Sequence, residues 1–333
     1  MPASTASPTA ANAVDLDALY TSIEEAHSAL RPAVSITPLS HSARLSALTG
    51  CEVLLKCEHL QHTGSFKFRG ASNKIRLLPV DVRKHGVIAA SSGNHGQALA
   101  LAGKTAGVQV TVYTATSASP YKIEAMRTLG AEVLCLPTDP LGAELEAARQ
   151  AEAQGVPFVS PYNDLQVIAG QGTIGMELFE QAPDLDAVFV AVGGGGMIAG
   201  IGAALRKLNP GTEIIGCWPA NDPALAQSIK AGEIVEVDAL ETLSDGTAGG
   251  VEPGAITLPL CQALVTDTVL VSEDEIRAAM RDIASSERWI IEGAAAVAVA
   301  GMQKLAKRYQ GKRVAVILCG RNILLEKFLE AVR

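Results

Sequence analysis

Thr63-Gly-Ser-Phe-Lys-Phe-Arg-Gly70 sets a single lysine, Lys67, between small and aromatic side chains. Upstream, Val53-Leu-Leu-Lys-Cys57 is predicted to form a strand, and Gly64-Ser65 a turn whose serine caps the helix that follows. Burial and the helix dipole both disfavour a protonated amine at a helix start, so Lys67 is a candidate nucleophile. These residues alone leave an alternative open, in which Lys67 and Arg69 are solvated charges on an amphipathic helix.

On both sides of this segment, short apolar runs alternate with helical patterns. A helix is predicted over Leu16 to Leu30, and Gly170-Gln-Gly-Thr173 is predicted to open another. The alternation favours an α/β fold with doubly wound parallel sheets. The further predicted strands are residues 86–90, 108–113, 132–136, 157–160, 187–192, 212–217 and 314–319.

Composition and charge exclude several classes of protein. With 333 residues and 48% hydrophobic composition, the chain can bury a sizeable core in one or two domains. The net charge of −8 gives no reason to expect a nucleic acid or an anionic membrane as a partner. The six cysteines contain no C-x-x-C pair, no apolar run approaches membrane-helix length, and residues 1–13 are expected to form a disordered leader. A cytoplasmic protein with reduced thiols is therefore predicted.

Two glycine-containing turns are candidate anion sites. Four consecutive glycines, Gly193 to Gly196, follow an apolar strand and precede a helix, where free backbone N–H groups and the helix dipole favour a phosphate. Ser91-Ser-Gly-Asn-His-Gly96 occupies the same kind of position after an earlier strand. Glycines needed only for tight packing are an alternative for the first turn. A dinucleotide site is another, although the run is not G-x-G-x-x-G.

The segment Leu55 to Ala71 (LKCEHLQHTGSFKFRGA) resembles the lysine segment of the pyridoxal-phosphate enzymes of the tryptophan-synthase β family. Within that family it is most similar to the threonine and serine dehydratases, with the serine racemases and phenylserine dehydratase-like members. Further segments match in the same order from about Thr37 to Asn322. The resemblance implies pyridoxal 5'-phosphate as cofactor and two doubly wound parallel-sheet domains with the cofactor in the cleft between them. It also implies a large domain of residues 14–74 plus 164–333, a small inserted domain of residues 75–163, and a homodimer.

The resemblance carries roles onto individual residues of this chain. Lys67 would bind the cofactor covalently and serve as the base, and Ser92 would be the acid on the opposite face. The substrate would be bound by Tyr162 and by the turn Ser91, Ser92, Gly93, Asn94 and His95. The cofactor-binding residues would be Phe66, Lys67, Asn94, Gly193, Gly194, Gly195, Gly196, Met197, Gly246, Glu292 and Cys319.

Two positions depart from the family pattern. Arg321 replaces a usual glycine, which puts the local backbone and the charge of the pocket in doubt. Trp218 stands where many relatives carry a glutamate that binds a divalent cation. Hard cations need clustered oxygen ligands, so no metal site is predicted here.

The predicted activity is a dehydratase that converts a β-hydroxy-α-amino acid into a 2-oxo acid and ammonia. Cys319 would face the pyridine nitrogen, and a thiol is a poor partner for a protonated ring, which favours expulsion of a β-leaving group. L-Threonine and L-serine are the default substrates. A bulkier analogue such as L-threo-phenylserine, hydroxyaspartate or a hydroxyectoine-derived amino acid is open. An amino-acid racemase and a non-catalytic ligand-binding relative are the alternatives.

Overall fold

The structure, a computed structural model, describes residues 15–333 of the chain. The predicted leader, residues 1–13, lies outside them. The nine strands of the described chain are β1 Leu39–His41, β2 Glu52–Lys56, β3 Val87–Ala90, β4 Val110–Ala115, β5 Glu132–Leu136, β6 Ala187–Ala191, β7 Glu213–Pro219, β8 Asp267–Val271 and β9 Arg313–Ile317. The helices are α1 Leu16–Leu30, α2 Ala43–Thr49, α3 Lys67–Leu77, α4 Val80–Arg83, α5 Asn94–Ala106, α6 Pro120–Thr128, α7 Pro140–Gln154, α8 Leu165–Gln181, α9 Gly196–Leu208, α10 Ala224–Ala231, α11 Thr257–Leu264, α12 Glu273–Ser286, α13 Gly293–Leu305 and α14 Leu325–Ala331.

Six strands form the larger sheet, in the order β1-β2-β9-β6-β7-β8. All its neighbours are parallel except β1, which pairs antiparallel with β2. The chain moves from β6 outward to β7 and later returns from β8 to β9. Because such connections are right-handed, the helices that make these two crossovers are expected on opposite faces of the sheet. The carboxyl ends of β6 and β9 meet at the switch point, which is where open α/β sheets bind ligands.

Three parallel strands form the smaller sheet, in the order β3-β4-β5. Its hydrophobic core includes Phe68, Ala71 and Ile75 from α3, and the helix that begins at Lys67 joins this core by packing against α5. The fold-class prediction, α/β with parallel sheets, is confirmed apart from the antiparallel strand β1. All three strands of this sheet lie within residues 75–163, and the domain boundaries stay a prediction.

Glycines allow α8 to cross two other helices at very short distance. A side chain at Gly170 would place its Cβ 2.6 Å from the Cα of Gly70 in α3. One at Gly200 in α9 would place its Cβ 2.6 Å from the backbone nitrogen of Gly172. No Cβ fits at either distance, so the helix backbones touch at both crossings.

Three local predictions were wrong. Gly170 to Thr173 lies inside α8, which begins at Leu165 after an Asp164 cap, because these glycines serve helix crossing. Residues 157–160 form only an isolated bridge, Ile88 with Phe158, instead of a strand. Ser65 does not cap α3: it is extended and bridges Gly320, and Phe66 is the N-cap. No helix among the described residues combines the length and the apolar character that crossing a membrane requires.

Candidate active site

The lysine segment is joined directly to the end of β9. After β2 the chain passes through two short 3-10 turns, and Thr63 adopts φ 59°, which is uncommon for a residue other than glycine. Ser65 then bridges Gly320, and the Phe66 N–H donates to the Cys319 carbonyl at 3.0 Å. This register brings Lys67, the first residue of α3, to the carboxyl edge of the larger sheet beside Cys319.

The Lys67 amine is partly buried and has a lowered pKa. Burial lowers the pKa to about 8 against the opposing effect of the Glu292 carboxylate. Its Nζ donates to the Pro161 carbonyl at 2.9 Å and lies 5.1 Å from the centre of the Phe66 ring. A substantial fraction of this amine is therefore neutral in the weakly alkaline range, as a nucleophile or base requires.

Glu292 lies at the centre of a buried polar cluster. The Asn94 side chain donates to both of its carboxylate oxygens, at 2.8 and 3.1 Å, and the Asn322 backbone N–H donates at 2.9 Å. Burial raises the pKa of Glu292 to about 7 against the opposing effect of the Asn94 hydrogen bond. Asn322 also donates to the Asn94 side-chain oxygen at 2.6 Å and to the Thr63 carbonyl at 2.8 Å. It thereby links three segments of the predicted site.

The two glycines beside Glu292 leave room for its carboxylate. A Cβ at Gly320 would lie 2.6 Å from Glu292 Oε1, and one at Gly246 would lie 3.2 Å from the same oxygen. The neighbouring Cys319 thiol is buried, and burial raises its pKa well above the ordinary value. This thiol therefore stays neutral at physiological pH.

The four-glycine turn connects β6 to α9. Gly195 is the N-cap of α9 and has φ 90°, a conformation that glycine adopts without strain. No side chain caps the first turn of this helix within residues 15–333, so its N–H groups remain available to an anion. A Cβ at Gly194 would lie 2.3 Å from the Tyr162 ring, which packs directly on the turn.

The predicted substrate turn, residues 91–95, follows β3 and ends in the first residues of α5. Ser91 Oγ accepts hydrogen bonds from the backbone N–H groups of Gly93 and Gly96, at 3.1 and 3.0 Å. His95 is buried, its Nε2 lies 2.9 Å from the Val159 carbonyl, and burial together with the Lys67 charge lowers its pKa to about 4. His95 is therefore neutral near pH 7. Ser92 is exposed on the turn.

Short contacts join most of the predicted cofactor residues into one network. Pro161 accepts from Lys67 while its neighbour Tyr162 covers Gly194. A Cβ at Gly193 would lie 2.9 Å from the carbonyl oxygen of Thr247, the residue after Gly246. The Lys67 amine matches the aldehyde of pyridoxal phosphate, and the uncapped start of α9 matches its phosphate. The Asn94 amide matches the ring oxygen, and the Cys319 thiol matches the ring nitrogen. The donor set therefore fits this cofactor, and the individual roles stay predictions.

Two features of this network carry no signal of a specific role in the sequence. Asn322 closes the motif Cys319-Gly-Arg-Asn322, and the motif alone does not indicate that its side chain bonds Asn94 and Thr63. The second feature is an ion pair of 2.7 Å between Lys122 of α6 and Asp245. Lone charged residues on separate elements carry no spacing signal, so only the structure reveals that they meet.

The raised pKa of Glu292 predicts a pH-dependent stability of the cofactor-free protein. An unfolded glutamate titrates near 4.5, and the folded one near 7. Between these values the folded chain binds more protons, so the free energy of unfolding falls as pH rises, by at most about 1.4 kcal/mol per unit. In Glu292→Gln this fall is absent. From pH 5 to pH 7 we expect the variant to gain about 2 kcal/mol relative to wild type, since the slope is smaller near each of the two pKa values.

Denaturant unfolding of both apoproteins across this pH range measures the difference. Exposed Glu326→Gln is the matched control and should follow wild type at every pH. A difference between Glu292→Gln and wild type that is constant with pH would contradict the buried, titrating carboxylate.

Comparison with known proteins identifies relatives over most of the chain. Residues 30–320 match the family model described as pyridoxal-phosphate dependent enzyme. An L-threonine ammonia-lyase of Thermotoga maritima is 43% identical over 303 residues, which cover 90% of this chain and 75% of that protein.

Two solved structures share the fold closely. Threonine deaminase isoform 2 from Solanum lycopersicum, in its processed form, superposes with a TM-score of 0.91 at 33% identity, covering 96% of this chain and 94% of that one. Serine racemase from Dictyostelium discoideum gives a TM-score of 0.85 at 34% identity, covering 92% and 99%.

Proposed function

Because the chain belongs to the family of pyridoxal-phosphate dependent enzymes, we propose that it is a lyase that dehydrates and deaminates a β-hydroxy-α-amino acid. The products are a 2-oxo acid and ammonia. The observation that carries this proposal is the position of a partly buried amine, Lys67 at the start of α3, beside a buried neutral thiol, Cys319 just after β9. A thiol does not hold a proton on the ring nitrogen as a carboxylate would, which favours early loss of a β-leaving group.

The residues of the site have separate roles in this reaction. Bound pyridoxal phosphate stabilises the electron pair that is left when the substrate Cα–H bond breaks. The neutral Lys67 amine accepts the α-proton, and the turn of residues 91–95 holds the substrate carboxylate so that this bond points at the amine. Gly193 to Met197 bind the phosphate at the start of α9. The β-hydroxyl leaves as water, and a later addition of water releases ammonia, so the net reaction consumes no oxidant or second substrate.

L-Threonine and L-serine are the proposed substrates, since the Thermotoga maritima relative is an L-threonine ammonia-lyase. A bulkier analogue such as L-threo-phenylserine would have to be accommodated near Tyr162, whose ring covers Gly194. A homodimer and a cytoplasmic location stay predictions.

A panel assay tests the proposal. Cofactor-loaded protein is mixed with serine, threonine, phenylserine and hydroxyaspartate, and both the visible absorbance of the cofactor and the 2-oxo acid are measured. Oxo acid from at least one substrate, together with a perturbed absorbance band, is the expected result. A band that no substrate perturbs and no oxo acid from any of them would refute the dehydratase.

Amino-acid racemisation is the second candidate, because the Dictyostelium discoideum serine racemase shares the fold at 34% identity and Ser92 is exposed at the position of the opposite-face acid. Chiral analysis of the residual substrate in the same tubes separates the two activities. D-Serine formed from L-serine without oxo acid would favour the racemase.

We expect turnover to be insensitive to metal removal. Trp218 is buried where relatives carry a carboxylate, and the nearby Asp222 Oδ2 accepts the Gly249 N–H at 2.6 Å. Within residues 15–333 no group of three or more His, Cys, Asp or Glu side chains is arranged to hold a metal. Dialysis against EDTA should therefore leave the rate within about twofold of the untreated enzyme, and addition of Mg²⁺ or Ca²⁺ should not raise it. A strong activation by either cation would contradict this expectation.

A further inference from the structure

Lys122 and Asp245 form an ion pair that connects the two sheet units across the substrate turn. Lys122 lies in the first turn of α6, which follows β4 of the smaller sheet. Asp245 precedes Gly246 in the irregular segment between α10 and α11, beside the larger sheet. The Lys122 Nζ lies 2.7 Å from Asp245 Oδ2, and the lysine side chain is only 18% exposed.

The lysine side chain extends along the substrate turn itself. A Cβ at Gly93 would lie 3.7 Å from both Cδ and Nζ of Lys122, and 4.0 Å from Cε. The lysine stem therefore lies alongside the turn at ordinary contact distance, and its ammonium group reaches the residues that are proposed to hold the substrate carboxylate.

Asp245 is held on a rigid turn. The Ser244 and Thr247 hydroxyls lie 2.5 Å apart, the Thr247 N–H donates to the Ser244 carbonyl at 2.9 Å, and both side chains are buried. The carboxylate can therefore keep the Lys122 ammonium directed toward Gly93 when no substrate is bound.

The substrate turn needs a cation more than a further neutral donor. An α-carboxylate brings a full negative charge to a turn whose other donors are neutral hydroxyl and backbone N–H groups, and the Gly93 and Gly96 N–H groups already donate to Ser91. A hydrogen bond from an ammonium group to a carboxylate is roughly twice as strong as one between neutral groups.

We propose that Lys122 binds the α-carboxylate of the substrate and shares its ammonium group between that carboxylate and Asp245. The enzyme then selects amino acids over amines of the same shape. This inference rests on the proposed function, since it assumes that the turn of residues 91–95 receives an amino acid.

The test compares alanine with isopropylamine, which has a methyl group in place of the carboxylate. Neither molecule carries a hydroxyl group, so both bind to the cofactor-loaded protein without β-elimination, and each dissociation constant is read from the cofactor absorbance. In Lys122→Met we expect alanine to bind at least about tenfold more weakly and isopropylamine to bind as in wild type. Lys122→Arg should recover part of the alanine affinity.

Asp245→Asn distinguishes two roles of Lys122, which are binding of the substrate carboxylate and a purely structural ion pair between the two sheet units. If Lys122 binds the substrate, Asp245→Asn removes the carboxylate that competes for its ammonium group, and alanine binds as tightly as in wild type or more tightly. Lys122→Met weakens alanine binding, so the change in alanine affinity has opposite signs in the two variants. If the ion pair only holds the units together, both variants weaken the binding of alanine and isopropylamine alike, and the proposal is overturned. An unchanged ratio of alanine to isopropylamine affinity in Lys122→Met also overturns it. Lys207→Met, which breaks the exposed Lys207–Asp17 pair, is the matched control.

Two further outcomes separate this inference from the proposed function. Wild-type protein that binds alanine in a Lys122-dependent way but forms no 2-oxo acid from the substrate panel would support the inference and refute the dehydratase. If wild-type protein forms oxo acid while Lys122→Met retains full alanine affinity, the dehydratase is supported and the role of Lys122 is refuted. Thermal unfolding of each variant verifies that it is folded, and Lys122→Gln replaces Lys122→Met if the latter is not.

Discussion

Replacing Lys67 by alanine is expected to abolish both turnover and the visible absorbance of bound cofactor. The substitution removes the amine that is proposed both to hold the cofactor and to accept the α-proton. Positioned bases alone contribute about 10²- to 10⁴-fold, so the rate should fall by at least about 10⁴-fold when both roles are lost. Absorbance spectra of the purified variant and a 2-oxo acid assay measure the two effects.

Lys74→Ala is the matched control for this loss. Lys74 lies in the same helix, α3, and pairs with Asp164 at 2.6 Å instead of facing the cofactor site. It should retain the absorbance band and most of the turnover. Retained turnover in Lys67→Ala would remove the basis of the proposed function.

Replacing Arg69 by methionine should lower the free energy of unfolding by about 3–5 kcal/mol, because it leaves buried carboxylates without their main cation. The Arg69 guanidinium donates at 2.7–2.9 Å to both oxygens of Glu58 and both oxygens of Glu177. Lys56 donates to Glu177 at 2.6 Å. These four side chains are at most 2% exposed, and their formal charges sum to zero.

Denaturant unfolding of Arg69→Met gives the magnitude, and two further variants interpret it. Adding Glu58→Gln to Arg69→Met restores charge neutrality and should recover part of the loss. Arg76→Met, in the last turn of the same helix, should cost far less, since Arg76 Nε donates to the neutral Asn73 side chain and not to a buried carboxylate. If Arg69→Met lowers the free energy of unfolding by less than about 1 kcal/mol, the result would contradict a desolvated cluster.

Much of this architecture follows from local pattern in the sequence. Strand β5 matches its predicted bounds, and α1 matches at both ends, because apolar periodicity and turn residues mark these elements locally. The unusual lysine is also visible, since small residues before it and a strand upstream are features of the segment itself. The lowered pKa of Lys67 follows from its burial, as the sequence suggested.

The wrong predictions have a common physical origin, which is contact between distant segments. Ser65 has the right chemistry for a helix cap, yet pairing with Gly320 extends its backbone and moves the helix start to Lys67. Glycines at 170 and 172 look like a helix start, but their function is to admit other helices. The polar cluster around Glu292 and the Lys122–Asp245 pair likewise depend on which loops lie next to each other. No residue spacing along the chain predicts these contacts.

The two glycine crossings of α8 have a consequence for the length of molecule that this protein can hold. The helix that begins at Lys67 touches α8 at Gly170, and the helix that begins at Gly196 touches it at Gly172. One helix, α8, therefore sets the separation between the Lys67 amine and the four-glycine turn, which are the predicted sites of the cofactor's aldehyde and phosphate. A side chain added at either crossing would change that separation, so Gly70, Gly170, Gly172 and Gly200 restrict the size of the cofactor that would fit between the two sites.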